Sequence, residues 1–266
     1  MGSPAMNLLF WNLEKNNVTR YICDCIKEHD VDIAAFAEHG GVDFTALGEE
    51  LGEEYQTQIG VGGCDKIRVV AKRGIEVIVR NEQSRYIVFQ VSVDGIAYVI
   101  CCLHMKDRGN SGAFVRARDG ETIVNSVENI AKDAKCANLV YIGDFNANPY
   151  DYEMLSPYSF NAVLFKDIID KSGTCRHDGK IYKRLYNPVL NYICEDSRMY
   201  GSYYYDSGEN AGPIWNCFDM VLVSKPLSNK ITSLSYPRTI GGKSLMACVR
   251  PKPCISDHLP LLVAIE

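Results

Sequence analysis

The sequence predicts an α/β (α+β) protein, built as a sandwich of mixed β-sheets with helices on the outside. Apolar segments of strand length recur along most of the chain, and Asp94-Gly95 is a strong hairpin signal between two of them. Other segments instead carry apolar residues at helical spacing. Strands interleaved with a few helices in one chain pack as sheets that the helices cover.

The strands are predicted from apolar runs that turn residues or changes of period bound on both sides. In chain order, these runs predict strands at 7–13, 32–37, 67–72, 76–80, 86–93, 96–103, 139–142, 217–224 and 231–236, with a last strand inside 256–266.

Three helices are predicted. The first has its apolar stripe at Val18, Ile22, Cys25 and Ile26, and a short second helix is expected over 43–51. A longer third helix follows a polar, glycine-containing loop, and its stripe consists of Ile123, Val127, Ile130, Ala131 and Ala134. Between residues 171 and 216 the pattern loosens into a tract rich in Tyr, Gly and Asn, for which no regular element is predicted.

Composition limits the classes of protein that this chain can represent. With 266 residues and 47% apolar residues it can bury a sizeable core, and we expect one domain over 6–266 after an artificial leader at 1–5. No apolar run approaches about 18 residues, so we expect no membrane span and no stable membrane association. The eleven cysteines include no Cys-x-x-Cys pair, which favours a reducing cytoplasm over a zinc site or a disulfide framework. A net charge of −5 argues against non-specific coating of nucleic acid.

The most informative stretch is 139–149. Its apolar run reads as a buried strand, Gly143 is expected to turn the backbone at the strand's end, and Pro149 stops the strand from continuing. Asp144 and Asn146 are two residues apart and therefore point the same way on an extended chain. They suit the binding of a metal ion, a water molecule or a phosphate, although a polar β-turn would explain the stretch alone.

Polar residues recur in the same way where other predicted strands stop. Besides Asp144 and Asn146, they are Asn12, Glu38, His104 and the pair Asp257-His258, which precedes the last strand. Asp219 lies inside an apolar strand, where an unpaired carboxylate would cost several kcal/mol, so we expect it to have a partner, most naturally a histidine. One such residue has an ordinary structural explanation, but six in one chain favour a shared functional site.

These motifs resemble those of the endonuclease/exonuclease/phosphatase (deoxyribonuclease I-like) superfamily, and the tract at 185–215 is similar to that of bacterial members. The matching motifs run in family order and are Trp11-Asn12, Ala37-Glu38, Leu103-His104, Gly143-Asp144-Phe145-Asn146, Phe218-Asp219 and Ser256-Asp257-His258. The resemblance spans residues 12 to 258 and implies a four-layer αββα sandwich of two mixed, mainly antiparallel sheets flanked by helices.

The resemblance also implies roles for these residues. Glu38 is the expected main Mg²⁺ ligand, with Asn12 and Asp257 beside it and Mn²⁺ as a substitute ion. Asp144 and Asn146 are expected to handle the attacking water and a phosphate oxygen.

His258, paired with Asp219, is expected to donate to the scissile phosphate, and His104 to assist from the opposite side. Whether Asp144 or His258 is the base, and whether one or two metals bind, stays open. In the deoxyribonuclease I-like branch a glutamate orients the histidine that matches His104; here the nearest candidates are Asp65 and Glu76.

Three stretches are locally basic: 66–85, 106–118 and 176–184. We interpret the first as solvated surface. The other two lie in polar stretches of the kind that hold binding loops. Basic residues interleaved with aromatic rings suit a stacked base and its phosphates. The candidate substrate-binding residues are Arg108, Arg116, Arg118, Arg184, Tyr186, Tyr205 and Trp215.

The leading functional hypothesis is a Mg²⁺-dependent phosphodiester hydrolase, a nuclease that cleaves DNA or, as the second option, RNA by in-line attack of water. The alternative is a phosphatase or phosphodiesterase acting on a small phosphoester, such as an inositol phosphate or a lipid head group. A non-catalytic binding module would require a damaged metal site, and the intact motifs argue against it. The sequence identifies no protein partner.

Overall fold

The computed structural model describes residues 6–195, 200–206, 208 and 212–266. The predicted leader at 1–5 lies outside the described residues. The helices are α1 (Thr19–Glu28), α2 (Phe44–Leu51), α3 (Ala113–Asp133), α4 (Tyr152–Leu155), α5 (Lys166–Lys171) and α6 (Val189–Glu195), with 3₁₀ turns at Gly52–Glu54 and Lys225–Leu227. Within the described ranges, none of these helices combines the length and the apolar character needed to cross a membrane.

The strands are β1 (Met6–Asn12), β2 (Ile33–Ala37), β3 (Tyr55–Gln56), β4 (Ile67–Lys72), β5 (Val77–Gln83), β6 (Tyr86–Val93), β7 (Ile96–His104), β8 (Leu139–Asp144), β9 (Ala162–Val163), β10 (Thr174–His177), β11 (Lys180–Lys183), β12 (Leu185–Tyr186), β13 (Tyr203–Tyr204), β14 (Trp215–Asn216), β15 (Asp219–Ser224), β16 (Ile231–Ser235), β17 (Thr239–Ile240), β18 (Lys243–Ser244), β19 (Met246–Ala247), β20 (Arg250–Pro251) and β21 (Leu261–Ile265).

Two large mixed sheets form the body of the described structure. One has the strand order β16-β21-β1-β2-β4-β3 and the other β5-β6-β7-β8-β15-β12-β9. Strands β1, β2 and β4 of the first sheet contact β7 and β8 of the second, and one apolar core spans both sheets. The predicted sandwich of two mixed sheets with flanking helices is confirmed.

Two of the parallel strand pairs explain why this sandwich carries its polar residues on one edge. β1 pairs with β2 and β7 with β8, and each pair is joined by a helical crossover, α1 or α3. Every residue of β2 and β8 is buried, as expected for strands that are covered on both faces. The carboxyl ends of each pair lie side by side, so the residues that end those strands are neighbours.

The structure differs from the sequence prediction in several places. The tract at 171–216, for which no regular element is predicted, carries β10 to β14 and α6. Two further differences concern close packing. Helix α3 begins at Ala113, earlier than its apolar stripe suggests. In this first part of the helix Gly120 packs closely, since a Cβ there would lie 2.1 Å from Ser159 Oγ. Strand β8 continues through Gly143 to Asp144, so Gly143 does not form a turn. Its role is close approach, since a Cβ would lie 2.1 Å from the carbonyl oxygen of Leu103 on β7.

Candidate active site

The strand ends bring the predicted polar residues to one edge of the sandwich. β1 ends at Asn12, and β2 ends one residue before Glu38. In the other sheet β7 and β8 end opposite each other at His104 and Asp144. Antiparallel β15 begins at Asp219, directly opposite Asp144. The register of the strands therefore places these side chains together.

A cleft of about 510 Å³ opens at this edge. His258, which precedes β21, reaches it because a β-bridge to Tyr203 and a hydrogen bond from Trp11 Nε1 to its carbonyl oxygen (3.0 Å) hold the segment. The cleft is lined by Asn12, Glu14, Lys15, Glu38, His39, Gly40, Asp65, Lys66, Arg85, His104, Met105, Asp107, Asp144, Asn146, Tyr203, Phe218, Asp257 and His258.

Asp219 and His258 form a buried pair behind the cleft. His258 Nδ1 lies 2.7 Å from Asp219 Oδ2, so the buried carboxylate has the histidine partner that the sequence predicts. Ser202 Oγ accepts a hydrogen bond from the Asp219 amide (3.0 Å), and Ser256 Oγ accepts one from the His258 amide (3.0 Å). These contacts fix the imidazole ring with its Nε2 edge toward the cleft.

The charge state of this pair follows from its surroundings. Burial alone would lower the pKa of His258, but the adjacent Asp219 carboxylate outweighs it and raises that pKa to about 10. Burial also raises the pKa of Asp219, although the imidazolium opposes that change. Both directions keep a proton between the two groups, and the geometry favours an imidazolium that can donate from Nε2 at neutral pH.

The turn after β8 is held in a specific shape. Asn146 has a left-handed backbone (φ 48°), which asparagine tolerates better than most residues. Its amide donates to Asp144 Oδ1 (2.8 Å), and its side-chain Nδ2 donates to the Met105 carbonyl (3.1 Å). Asp144 Oδ2 accepts from Asn12 Nδ2 (3.0 Å). The side-chain oxygen of Asn146 is therefore the atom left to accept a hydrogen bond in the cleft.

The carboxylate of Glu38 makes only long contacts with its neighbours among the described residues. Its carboxylate oxygens lie 3.8 Å from Lys15 Nζ and 3.8 Å from His104 Nε2, beyond hydrogen-bond distance. The residue also has a left-handed backbone (φ 46°), a costly conformation for glutamate that is common at functional sites. Its carboxylate is consequently free to take a ligand.

His104 lacks the orienting carboxylate considered from the sequence. Its Nδ1 is buried with no hydrogen-bond partner among the described residues, and its Nε2 lies 3.6 Å from Asp144 Oδ2. Asp65 lines the cleft, but its carboxylate accepts a hydrogen bond from Ser84 Oγ (2.6 Å) and does not orient His104. Glu76 is exposed and lies just before β5. The first residue of β5, Val77, pairs with Val91 at one end of β6, whereas Leu103, next to His104, pairs with Tyr86 at the other end, so Glu76 is remote from His104.

Acidic groups crowd one corner of the cleft. Glu14 Oε2 accepts a long hydrogen bond from the Asp257 amide (3.3 Å). Burial raises the pKa of Asp257 to about 6; the nearby imidazolium of His258 opposes this, and Glu14 adds to it. A cation bound in this corner would relieve the repulsion between the carboxylates.

A tighter cluster joins Asp144, Asp219 and His258, which each present one potential ligand atom within 4.8 Å of the others. Apart from Asp219 Oδ1, the carboxylate oxygens of this cluster are already engaged, those of Asp144 by Asn12 and Asn146. Asp219 Oδ2 holds the His258 ring, and a charged imidazolium does not ligate a metal. Among the described residues, Glu38 and the Asp257 corner are therefore the better location for a cation.

Several predicted substrate-binding residues do not join the cleft. Arg116 is buried on α3, where its guanidinium pairs with Glu153 of α4 and donates to the Ser111 carbonyl, so the prediction of a phosphate contact is wrong for it. It was mistaken for a loop residue because the start of α3 lacks an apolar stripe. Arg118 lies exposed on the same helix.

Arg184 and Tyr186 lie at the wrong end of the sheet. β12 pairs with β15 at Leu185 and Ser224, the end remote from Asp219, and Tyr186 is buried there. Trp215 packs against Tyr204 (5.4 Å between ring centroids) and Tyr200 rather than facing the cleft residues. These positions do not support direct contact with a substrate in the cleft.

Tyr205 belongs to an aromatic stack beside the cleft. Its ring is 52% exposed and nearly parallel to Tyr203 (5°, 6.5 Å between centroids). Tyr203 stacks in turn on Phe218 (5.1 Å, 19°) and lies 4.6 Å from the His258 ring. Tyr203 and Phe218 both line the cleft. The substrate-binding residues proposed from the sequence include Tyr205 but neither Tyr203 nor Phe218, although alternation along a Tyr-Tyr-Tyr strand puts residues 203 and 205 on one face.

Basic residues were also missed. Lys66 and Arg85 line the cleft, so the interpretation of 66–85 as solvated surface is wrong at its two ends. The loop before β4 and the turn between β5 and β6 meet there, because the Lys66 amide donates to the Ser84 carbonyl (3.1 Å). Lys15, which directly follows Glu14, lines the same cleft. The sequence signal that could have identified these three basic residues is their position next to the ends of predicted strands.

No family model matches this sequence, and no curated protein matches it significantly. Solved structures do match. TDP2 from D. rerio, complexed with a single-strand DNA product, superposes with a TM-score of 0.61 at 15% identity over 99% of this chain and 100% of that chain. An endonuclease/exonuclease/phosphatase from Bacteroides vulgatus gives 0.58 at 15% identity over 99% of both chains. This chain has the endonuclease/exonuclease/phosphatase fold.

The human nocturnin catalytic domain, with a bound sulfate anion, shares that fold at a TM-score of 0.59 and 16% identity, over 100% of this chain and 95% of that chain. The superfamily resemblance of the sequence motifs is thus confirmed at the level of the fold. Identities of 15–16% establish the fold alone. The chemistry of this chain must therefore be argued from the residues of its own cleft.

Proposed function

We propose that the protein is a Mg²⁺-dependent phosphodiester hydrolase that cleaves nucleic acid, DNA first and RNA second. One observation carries the proposal: a free carboxylate (Glu38), a positioned carboxylate (Asp144) and a carboxylate-paired histidine (His258) face one cleft. Hydrolysis of a phosphodiester needs a positioned water and stabilisation of charge on the phosphoryl oxygens, and these groups supply both.

The donor set of the cleft fits Mg²⁺. Glu38 would hold the ion, with Asn12 and Asp257 beside it, because Mg²⁺ prefers oxygen ligands, takes few from the protein and keeps several waters. The crowded carboxylates of Glu14 and Asp257 favour a cation in the same corner. A bound Mg²⁺ would polarise a phosphoryl oxygen and offset the developing negative charge.

Side chains of the protein would activate the attacking water, donate to a phosphoryl oxygen and assist the leaving oxygen. A protonated His258 suits donation to a phosphoryl oxygen, which leaves Asp144 as the better candidate to orient and deprotonate the attacking water. The free side-chain oxygen of Asn146 would hold that water in line. His104 would assist at the leaving oxygen. No covalent intermediate is required.

The aromatic stack favours nucleic acid over a small phosphoester. Tyr205, Tyr203 and Phe218 offer ring faces beside His258, and base–aromatic stacking contributes about 1–3 kcal/mol per base. The D. rerio TDP2 structure, complexed with a single-strand DNA product, is consistent with such a substrate for this fold.

Each of the eleven cysteines is a free thiol, which supports the proposed cytoplasmic location.

The alternative substrate is a small phosphoester, such as an inositol phosphate or a lipid head group. Lys66 and Arg85 in the cleft favour it, because additional phosphates on a compact substrate would find cations there.

A substrate panel tests the proposal. The protein is incubated with plasmid DNA, a single-stranded DNA oligonucleotide, an RNA oligonucleotide or inositol phosphates, each with Mg²⁺ or with EDTA. We expect Mg²⁺-dependent cleavage of the DNA oligonucleotide. Release of phosphate from inositol phosphates alone would overturn the nuclease proposal, and no hydrolysis of any substrate would overturn the phosphoesterase proposal.

A further inference from the structure

We propose that Arg108 is a positioning residue that ties the Asn146 turn to the segment preceding Asp219, and not a contact for substrate phosphates. The inference deepens the proposed function, because it concerns the same cleft. It replaces the role that the sequence suggested for this arginine.

Three contacts occupy the Arg108 side chain. Its Nε donates to the Asn146 carbonyl (3.1 Å), and its Nη2 pairs with the Asp151 carboxylate. The flat face of the guanidinium covers the Phe218 ring, with Cζ 4.9 Å from the ring centroid. Arg108 therefore links the loop after β7, the turn after β8 and the residue immediately before β15.

Asp151 extends this connection. Its Oδ2 also accepts from the Asn148 amide (2.5 Å). The Asn148 side chain then crosses to the other segment, donating to Asn216 Oδ1 (2.8 Å) and accepting from the Cys217 amide (2.9 Å). The two segments that Arg108 joins are thus also joined by a second, parallel set of hydrogen bonds.

The two joined segments carry opposite sides of the proposed phosphate site. One side is Asn146, held in its left-handed conformation with its amide on Asp144. The other is reached through Phe218, which stacks on Tyr203, whose ring lies 4.6 Å from that of His258. Loss of Arg108 should therefore loosen the Asn146 turn and the aromatic support of His258 together.

The same contacts argue against phosphate binding by Arg108. Its Nε and Nη2 are engaged by the Asn146 carbonyl and the Asp151 carboxylate, the negative charge of Asp151 offsets the guanidinium, and Phe218 lies against one of its faces. Lysine would not replace it, because an ammonium group cannot pair with a carboxylate, reach a carbonyl and stack on a ring with one planar group.

Hydrogen exchange tests the positioning role without reference to activity. Arg108→Ala and Asp151→Asn should each speed amide exchange in peptides covering 145–151 by about tenfold, while peptides from β6 and β7 keep their wild-type rates. Lys132→Gln, which removes an exposed cation from α3, should change neither set of peptides. Unchanged exchange at 145–151 in Arg108→Ala would overturn the inference, whatever the enzyme's substrate proves to be.

Kinetics on the DNA oligonucleotide then separate positioning from phosphate contact. Arg108→Ala should lower kcat about 10–100-fold, as loss of supporting contacts around a site typically does. KM and the salt dependence of kcat/KM should stay near wild type. Asp151→Asn should change kcat in the same direction, Arg108→Lys should not restore it, and the control Lys132→Gln should keep the wild-type kcat.

The opposite pattern would overturn the inference: a raised KM, an unchanged kcat and a salt slope smaller by about 1 in Arg108→Ala. Inactivity of the wild-type protein on every phosphodiester would defeat the proposed function alone, since the exchange measurement would still decide the role of Arg108.

Discussion

Asp219 illustrates what a single residue can reveal. A carboxylate inside an apolar strand must have a partner, because an unpaired buried charge is too costly. This reasoning leads to His258, which lies 2.7 Å away. The same reasoning failed for Arg116, since nothing local in the sequence marks Glu153 as its buried partner, and an arginine in a polar stretch looks solvated. Burial of a charge becomes predictable only once both partners are known.

Substitution of Asp219 by Asn keeps the shape of the side chain but removes the charge that stabilises the imidazolium of His258. We expect kcat on the oligonucleotide to fall by about 10²–10³-fold, the range found when one donor to a developing oxyanion is lost. Circular dichroism should be unchanged. A kcat within twofold of wild type, measured under saturating substrate, would contradict the proposed role of the pair.

At the scale of elements, the longer strands of the sandwich were predictable because most of them are apolar runs that end at polar residues. The hairpin between β6 and β7 formed where Asp94-Gly95 predicts it, with both residues at positive φ. The two-residue strands β12, β13 and β14 were not predictable, because so short a segment has no period. Tyr203, which β13 carries to the cleft, is not among the site residues proposed from the sequence, although its alternation with Tyr205 offered a signal.

Gly143 allows β8 to approach β7 and thereby sets Asp144 beside His104. Gly143→Ala would place a Cβ 2.1 Å from the Leu103 carbonyl oxygen, so we expect a loss of at least about 1–3 kcal/mol in the free energy of unfolding. Urea denaturation measures this loss. The matched control is Gly74→Ala, where nothing lies within 4 Å and a change within about 0.5 kcal/mol is expected. Equal stability of the two variants would contradict the close-approach role.

At the scale of the whole molecule, the fold and the location of the cleft could be inferred from the order of strands, helices and polar strand ends. The basic wall formed by Lys66 and Arg85 could not, because those residues meet only through pairing between distant strands. Substrate choice depends on such long-range features, which explains why the reaction class was easier to infer than the substrate.

A cation that binds only the folded protein must stabilise it. We expect Mg²⁺ at about 100 times its dissociation constant to add about 2.7 kcal/mol to the free energy of unfolding, seen as a rise in Tm. Glu38→Gln should abolish this Mg²⁺-dependent rise, whereas Glu53→Gln, on the exposed 3₁₀ turn, should keep it. An equal rise in both variants would show that the ion binds elsewhere.

The most direct test of the account is the rate of Mg²⁺-dependent cleavage of a single-stranded DNA oligonucleotide by Glu38→Ala and His258→Ala beside the wild type. Both variants should remain folded, by circular dichroism, and both should lose essentially all activity, because each removes one side of the proposed phosphate site. Wild-type turnover in either folded variant would contradict a phosphodiesterase centre at this cleft.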